Sequence, residues 1–302
     1  MTKIKIKTKS VIRYIRYSLE ALGALLLFSV FCTLPIKSAS GLGCWIAQKV
    51  GPRLKINKRA KKNLLIAMPY LTEDETKKVI FEMWGNLGRV VGEMPHIRKI
   101  ARWAKTGEIE IINREYLDQY CKKGEPVIYF SGHFANWELF ALISREVGVP
   151  YAQVYRAANN PMVDFLLRRL RRLEDHDIIP KGPVGAKKLI SFVRDGRRLG
   201  MLVDQKMNDG IEVPFFGVGA MTAPALAQIA IKYKCPAIPI KLERISACKF
   251  RVTVFSPISK PMTGNHRKDV ELMMTEVNKL FEKWIIERPS QWLWLHRRWP
   301  ES

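Results

Sequence analysis

His133 and Glu138 stand five residues apart within Pro-Val-Ile-Tyr-Phe-Ser-Gly-His-Phe-Ala-Asn-Trp-Glu, residues 126–138. An imidazole can take a proton from a hydroxyl near neutral pH, and a carboxylate bonded to one ring nitrogen leaves the other free to act as that base. On a continuous helix a five-residue step turns two side chains about 140° apart. The pair can therefore meet only if His133 lies in a turn and Glu138 on the first turn of a helix. The flanking residues predict that arrangement: 127–130 are β-favouring, Ser131-Gly132 breaks the run, and Phe-Ala-Asn-Trp-Glu-Leu-Phe is compatible with a helix. His133 is then expected where a strand ends, the place where open α/β sheets keep their chemistry. His-x4-Glu alone is a weak signal, because an isolated histidine is usually structural.

The elements around this stretch alternate between strand and helix. Thr72-Glu-Asp-Glu75 reads as a capping box opening a helix towards Gly92, with Val79, Ile80, Met83, Trp84 and Leu87 on one side. A second helical stretch over 116–122 stops at Gly124, before the His133 strand. Val154-Tyr155-Arg156 reads as a strand end, and Asn160-Pro161 as an N-cap with proline in the first turn. On the helix that follows, Met162, Leu166, Leu170 and Leu173 form an apolar stripe; Arg168, Arg171 and Arg172 point away from it. Arg169 falls at its margin, between Phe165 and Leu173, and there must find an anion, since an unpaired buried charge is costly. The other three read as a solvated basic face that can also meet phosphates.

Residues 187–198 read as a basic helix and 199–203 as a strand delivering Asp204 at its tip. Asp204 is either an ordinary turn residue or a carboxylate that holds an arginine. Pro214-Phe-Phe-Gly217 reads as an apolar loop and Thr222 as the cap of an alanine-rich helix; strands follow near 237–242 and 251–255, and a last helix covers about 267–287. The fold expected is α/β, a mostly parallel central sheet wrapped by helices.

Lys and Arg outnumber Asp and Glu 51 to 28, a formal net charge of +23 that speaks of partners such as nucleic acid, anionic lipid or an acidic protein. Five cysteines without a Cys-x-x-Cys argue against a disulfide framework and against a zinc site, and suit reduced thiols facing a cytosol. The first 18 residues hold six Lys or Arg and no acid, and 21–36 carry no charge, a run spanning about 24 Å. An uncleaved membrane anchor over 1–40, ahead of a domain over 41–302, is the reading preferred to a signal peptide or a buried core helix. Both flanks are basic, so the positive-inside rule picks no direction. Trp292, Trp294 and Trp299 interleave with His296, Arg297 and Arg298; with no nucleic-acid motif beside them, they suggest a membrane interface.

Five ordered blocks carry a resemblance: Ser-Gly-His-Phe-Ala-Asn-Trp-Glu (131–138), Val-Tyr-Arg-Ala-Ala-Asn-Asn-Pro (154–161), Met-Leu-Val-Asp-Gln (201–205), Pro-Phe-Phe-Gly (214–217) and Trp-Leu-Trp-Leu-His-Arg-Arg-Trp (292–299). Through them the chain resembles, nearly end to end, the bacterial lipid A late acyltransferases of the lysophospholipid acyltransferase-like superfamily, whose mark is His-x4-Asp/Glu. The resemblance implies transfer of a fatty acyl chain from acyl carrier protein, or from acyl-CoA in some relatives, to a hydroxyl of an anionic lipid A precursor. It implies a bacterial inner-membrane location with the catalytic domain facing the cytoplasm, and no metal or cofactor beyond the acyl thioester. In this reading His133 is the base and Glu138 orients and charges its ring, while Arg156 and Arg169 bind phosphate or the developing oxyanion. Asp204 positions, and Asn136 completes the substrate-binding set. The rivals are a glycerophospholipid acyltransferase with the same dyad and a non-catalytic basic protein of the membrane surface.

Overall fold

The computed structural model describes residues 2–120, 124–155, 157–171, 178–180 and 182–300, with backbone alone for 2–12 and 183. Seven strands form one sheet, in the order β1 (Glu110–Ile112), β9 (Lys249–Val254), β8 (Ala237–Ser246), β2 (Ile128–Ser131), β5 (Leu199–Leu202), β3 (Ala152–Tyr155) and β4 (Ile178–Pro180). Every pairing is parallel except β8 with β9. The adjacent strands β2 and β5 read as near-continuous apolar runs because both sheet faces are covered there. Alternate residues of β2 enter different cores: Ile128 and Phe130 pack on one side, Tyr129 and the preceding Val127 on the other.

The first core is closed by α4 (Glu73–Glu93), α10 (Ala225–Lys232) and α11 (His266–Glu287), the second by α5 (Ile97–Thr106) and α7 (Leu139–Glu146). The Thr72 capping box is present: Glu75 N–H donates to Thr72 Oγ1 at 3.3 Å, and Thr72 N–H to Glu75 Oε2 at 2.8 Å. The helix expected over 267–287 runs one residue longer at its start, with Asn265 as its N-cap. Residues 214–217 are a hairpin tip rather than a loop. They join β6 (Lys206–Phe215) to β7 (Val218–Thr222) through Phe216 and Gly217, whose φ values of 52° and 72° suit a two-residue hairpin turn. Thr222 caps nothing; α10 starts after Pro224, and the Thr222 hydroxyl donates to Ala220 O and accepts from Arg298.

At the N-terminus α1 (Thr2–Thr33) contains a segment, 13–33, long and apolar enough to cross a membrane by length and composition, and Leu19, Leu22, Leu25, Leu26 and Val30 on it are exposed. It is pinned at two points, by Asn160, whose Nδ2 donates to Tyr17 O at 2.8 Å, and by His96, whose Nε2 lies 2.9 Å from Phe31 O. The next helix, α2 (Ile36–Val50), takes in residues assigned from the sequence to the anchor: Ala39 and Ser40 are buried against α4.

Candidate active site

Strands β2 and β5 are neighbours, and their register sets Ser131 opposite Leu202. Two residues further on each chain, His133 and Asp204 meet above the sheet. His133 Nδ1 lies 2.8 Å from Asp204 Oδ1, and the His133 backbone N–H and Trp292 Nε1 each donate to Oδ2 at 2.8 Å. Gly132 permits this approach, since a Cβ there would stand 3.0 Å from Asp204 Cγ and 2.7 Å from the Phe134 ring. Asp204 is buried. Burial pushes its carboxyl up, but the charge and hydrogen bonds of His133, with the charge of His296, outweigh that and hold it well below the usual carboxylate range. An ionised carboxylate only accepts, so the His133 proton sits on Nδ1 and the Nε2 lone pair faces the cavity.

That lone pair meets Gln205, the residue after Asp204: Gln205 Nε2 is 3.0 Å from His133 Nε2 and 2.9 Å from His296 Nε2. The two imidazoles lie edge to face with centroids 5.0 Å apart. His296 belongs to the C-terminal segment, which pairs with the His133 loop: Ala135 N–H donates to Gln291 O at 2.9 Å and Leu293 N–H to His133 O at 3.2 Å. Ala135 is held at φ 49°, a left-handed conformation uncommon for a residue with a Cβ.

Several expected placements are corrected here. The carboxylate that meets His133 is Asp204 rather than Glu138, because Glu138 precedes α7 and turns to an arginine instead. That arginine is Arg171: Nη2 donates to Glu138 Oε1 at 2.7 Å, while Nε approaches Oε2 at 2.6 Å off the hydrogen-bonding direction. Asp204 thus holds a histidine and not an arginine. Arg169, on α8 (Pro161–Arg171), is exposed. The stripe used to place it turns inward only in part: Leu170 packs against the second core, whereas Met162 and Phe165 are exposed. Arg156 and Arg172 lie outside the described residues. Asn136 is wholly buried and its Nδ2 donates to Glu93 Oε2 at 2.7 Å, away from the cavity. The tryptophans of 292–299 are core rather than interface residues: Trp292, Trp294 and Trp299 are buried with Arg298, and burial lowers the Arg298 pKa to about 10.

His133, Glu138, Arg171, Gln205 and His296 line a cavity of about 290 Å³, completed by the Trp137, Phe140 and Tyr155 side chains among others. A separate, much smaller apolar slot between α7 and the sheet shares the Phe140 and Tyr151 side chains with this cavity and is lined also by Tyr129, Ile143, Ile240 and Val252. Tyr155 donates to Asp164 Oδ1 at 2.6 Å, tying β3 to α8; burial first, then this bond, raises the phenol to about 12. Arg171→Lys keeps the charge but loses the planar fork, so we expect kcat/KM to fall about 10-fold, against less than about 2-fold for Arg169→Lys. Equal values in steady-state assays would show that Arg171 acts as a diffuse charge.

Sequence reasoning did not single out Gln205, His296, Arg171 or Trp292 for the site. Gln205 and His296 each lie in a quoted block, but the contact between those blocks is set by strand order. The arrangement suits an α/β enzyme that draws a proton from a hydroxyl and directs the oxygen at an electrophile. Comparison with known proteins narrows this. The profile of the family described as bacterial lipid A biosynthesis acyltransferase matches residues 5–301. A Haemophilus influenzae lipid A biosynthesis acyltransferase is 26% identical over 263 residues, covering 86% of this chain and 79% of the relative. The lipid A biosynthesis lauroyltransferase of Escherichia coli is 27% identical over 297 residues (94% of this chain, 92% of the relative), and the palmitoleoyltransferase of that organism 24% over 270 (84% of each). The chain belongs to the bacterial lipid A biosynthesis acyltransferase family and is an acyltransferase.

Proposed function

We propose that the protein moves a fatty acyl chain from the thioester of an acyl carrier protein to a hydroxyl of a lipid A precursor. The observation that carries this is the His133–Asp204 pair, aimed into a cavity that the Glu138–Arg171 pair also lines. His133 Nε2 takes the acceptor proton and the oxygen attacks the thioester carbonyl. The carbonyl electron pair moves to its oxygen and returns as the carbon–sulfur bond breaks, and the sulfur leaves with the proton from His133. Asp204 fixes the ring tautomer and stabilises the imidazolium. No cysteine or serine lines the cavity among the described residues, which favours direct transfer over an acyl-enzyme.

Glu138 holds the Arg171 fork in place, and Arg171 supplies a planar cation for the anionic acceptor. The 13–33 helix suits an anchor that keeps this cavity at the inner membrane, on the cytoplasmic side where acyl carrier protein is found. The test is to incubate membranes carrying the protein with radiolabelled acyl carrier protein thioester and either a lipid A precursor or lysophosphatidic acid. Label is expected in the lipid A precursor. Label in the glycerophospholipid, or in neither acceptor, overturns the proposal.

A further inference from the structure

The tetrahedral intermediate of this transfer carries an oxyanion, and a positioned donor aimed at it is normally a major part of the rate enhancement. Of the donors close to His133, Trp292 Nε1 is committed to Asp204, and Arg171, whose Nη2 is bonded to Glu138, is the cation proposed for the anionic group of the acceptor. The Gln205 amide is placed differently. Its nitrogen carries two protons, and among the described residues its partners are ring nitrogens: His133 Nε2 at 3.0 Å, with Nδ1 at 3.4 Å, and His296 Nε2 at 2.9 Å. One of these bonds cannot survive substrate binding, because the acceptor hydroxyl must donate to the same His133 lone pair. The other can.

We infer that Gln205 is a catalytic residue that donates to the oxyanion, and that His296 is the positioning residue that keeps the amide in place. When the hydroxyl occupies His133 Nε2, one Gln205 N–H is released from the ring beside the reacting centre. The attacking oxygen and the oxyanion share one carbon, so a donor that was in contact with Nε2 is within reach of the developing charge. The second N–H stays on His296 and prevents the amide from turning away. His296 is itself fixed. Its carbonyl accepts from Asn63 Nδ2 at 2.6 Å, on α3 (Asn57–Ala67), and from Arg298 N–H at 3.0 Å. Trp292 and Trp294, earlier in the same segment, are buried in the main core. Gln205 is anchored from the other side, between Asp204 and the first residue of β6. During the step no proton passes through Gln205: the acceptor proton goes to His133 and then to the departing sulfur, and the amide only donates a hydrogen bond.

This inference rests on the transfer reaction proposed above. The experiment measures kcat and both KM values for Gln205→Ala, Gln205→Glu, His296→Gln and His296→Leu with acyl carrier protein thioester and lipid A precursor, alongside the thermal unfolding midpoint of each variant. Gln205→Ala should lower kcat by about 10²–10³ with both KM values within about 3-fold of wild type. Gln205→Glu, similar in shape but without a donor, should lose at least as much, and decides the matter should the alanine variant fold poorly. His296→Gln offers an acceptor oxygen near the Nε2 position and should keep kcat within about 3-fold of wild type. His296→Leu has no acceptor and should lose about 10-fold or more. Wild-type kcat in either folded Gln205 variant, or losses confined to KM, overturn the oxyanion role. Equal losses in His296→Gln and His296→Leu overturn the positioning role. A wild-type protein that transfers no acyl group overturns the functional reading and this inference with it, an outcome distinct from an active wild type with active Gln205 variants.

Discussion

Asp204→Asn is expected to lower kcat by about 10²–10⁴, nearly as much as His133→Ala, because it attacks the same proton. Asp204 accepts three hydrogen bonds with two oxygens, from His133 Nδ1, His133 N–H and Trp292 Nε1. An asparagine has one oxygen, and two of those donors, the backbone N–H and the indole, carry hydrogens that cannot be moved. The amide oxygen therefore stays with them and the NH2 group turns to the ring, which can answer only by presenting a lone pair at Nδ1. The proton then resides on Nε2, where the base is needed. Glu138→Gln removes a charge from Arg171 and leaves the tautomer untouched, so its loss should be smaller, about 10-fold. If Glu138→Gln proves the more damaging of the two in kcat, Glu138 and not Asp204 is the working partner of His133. The pair also has a pH signature. The Asp204 pKa is depressed in the folded protein, so its contribution to stability is complete above the ordinary carboxylate range near 4 and is lost as pH falls towards the depressed value. The stability gap between wild type and Asp204→Asn should therefore narrow as pH falls below about 4.

The sequence located the two strand tips, His133 and Asp204, from runs of β-favouring residues cut by a breaker or a charge. Each was legible because periodicity and punctuation are local. Their contact was not, because it depends on β5 inserting between β2 and β3, a choice of strand order that no window of sequence contains. The assignment of Glu138 to His133 followed from nearness in the chain, and the fold outbid it with a carboxylate 71 residues away. Arg169 failed for a related reason. A helical wheel gives relative angles, but its inward direction must be taken from the apolar residues, and on α8 Met162 and Phe165 are exposed. Arg171, two positions on, was on the face called solvated. The tryptophan-rich terminus shows the limit of composition: alternating aromatic and basic residues look the same whether they meet headgroups or, as here, bury an arginine among Met221 O, Thr222 and Asn278 with its guanidinium 4.6 Å from the Phe215 ring.

Arg244→Met is expected to destabilise the protein by about 3–5 kcal/mol, because it strands a buried charge behind the active-site loop. Glu93 is wholly buried at the end of α4, and Arg244 on β8 meets it with two bonds, Nη1 to Oε1 at 2.6 Å and Nη2 to Oε2 at 2.9 Å. Ser40 Oγ and Asn136 Nδ2, each at 2.7 Å, complete the carboxylate. The same arginine donates through Nε to Asn86 Oδ1 at 3.0 Å, and Asn86 donates to Ala135 O at 3.0 Å, so both Ala135 and Asn136 are tied to one guanidinium. Methionine fills most of the volume and keeps the apolar stem, which separates the loss of charge from the loss of packing. The double variant Arg244→Met/Glu93→Leu removes the stranded carboxylate and should recover much of the loss, as replacing both members of a buried pair usually does. Denaturant midpoints at constant m-value give the comparison. Activity gives a second one: even where the double variant regains stability, Asn86 and Asn136 have lost the groups that orient them, so the left-handed Ala135 and His133 two residues before it are less firmly held, and kcat should stay below wild type. A double variant restored in both stability and kcat would show that the network supports the fold alone and leaves the His133 loop to hold itself.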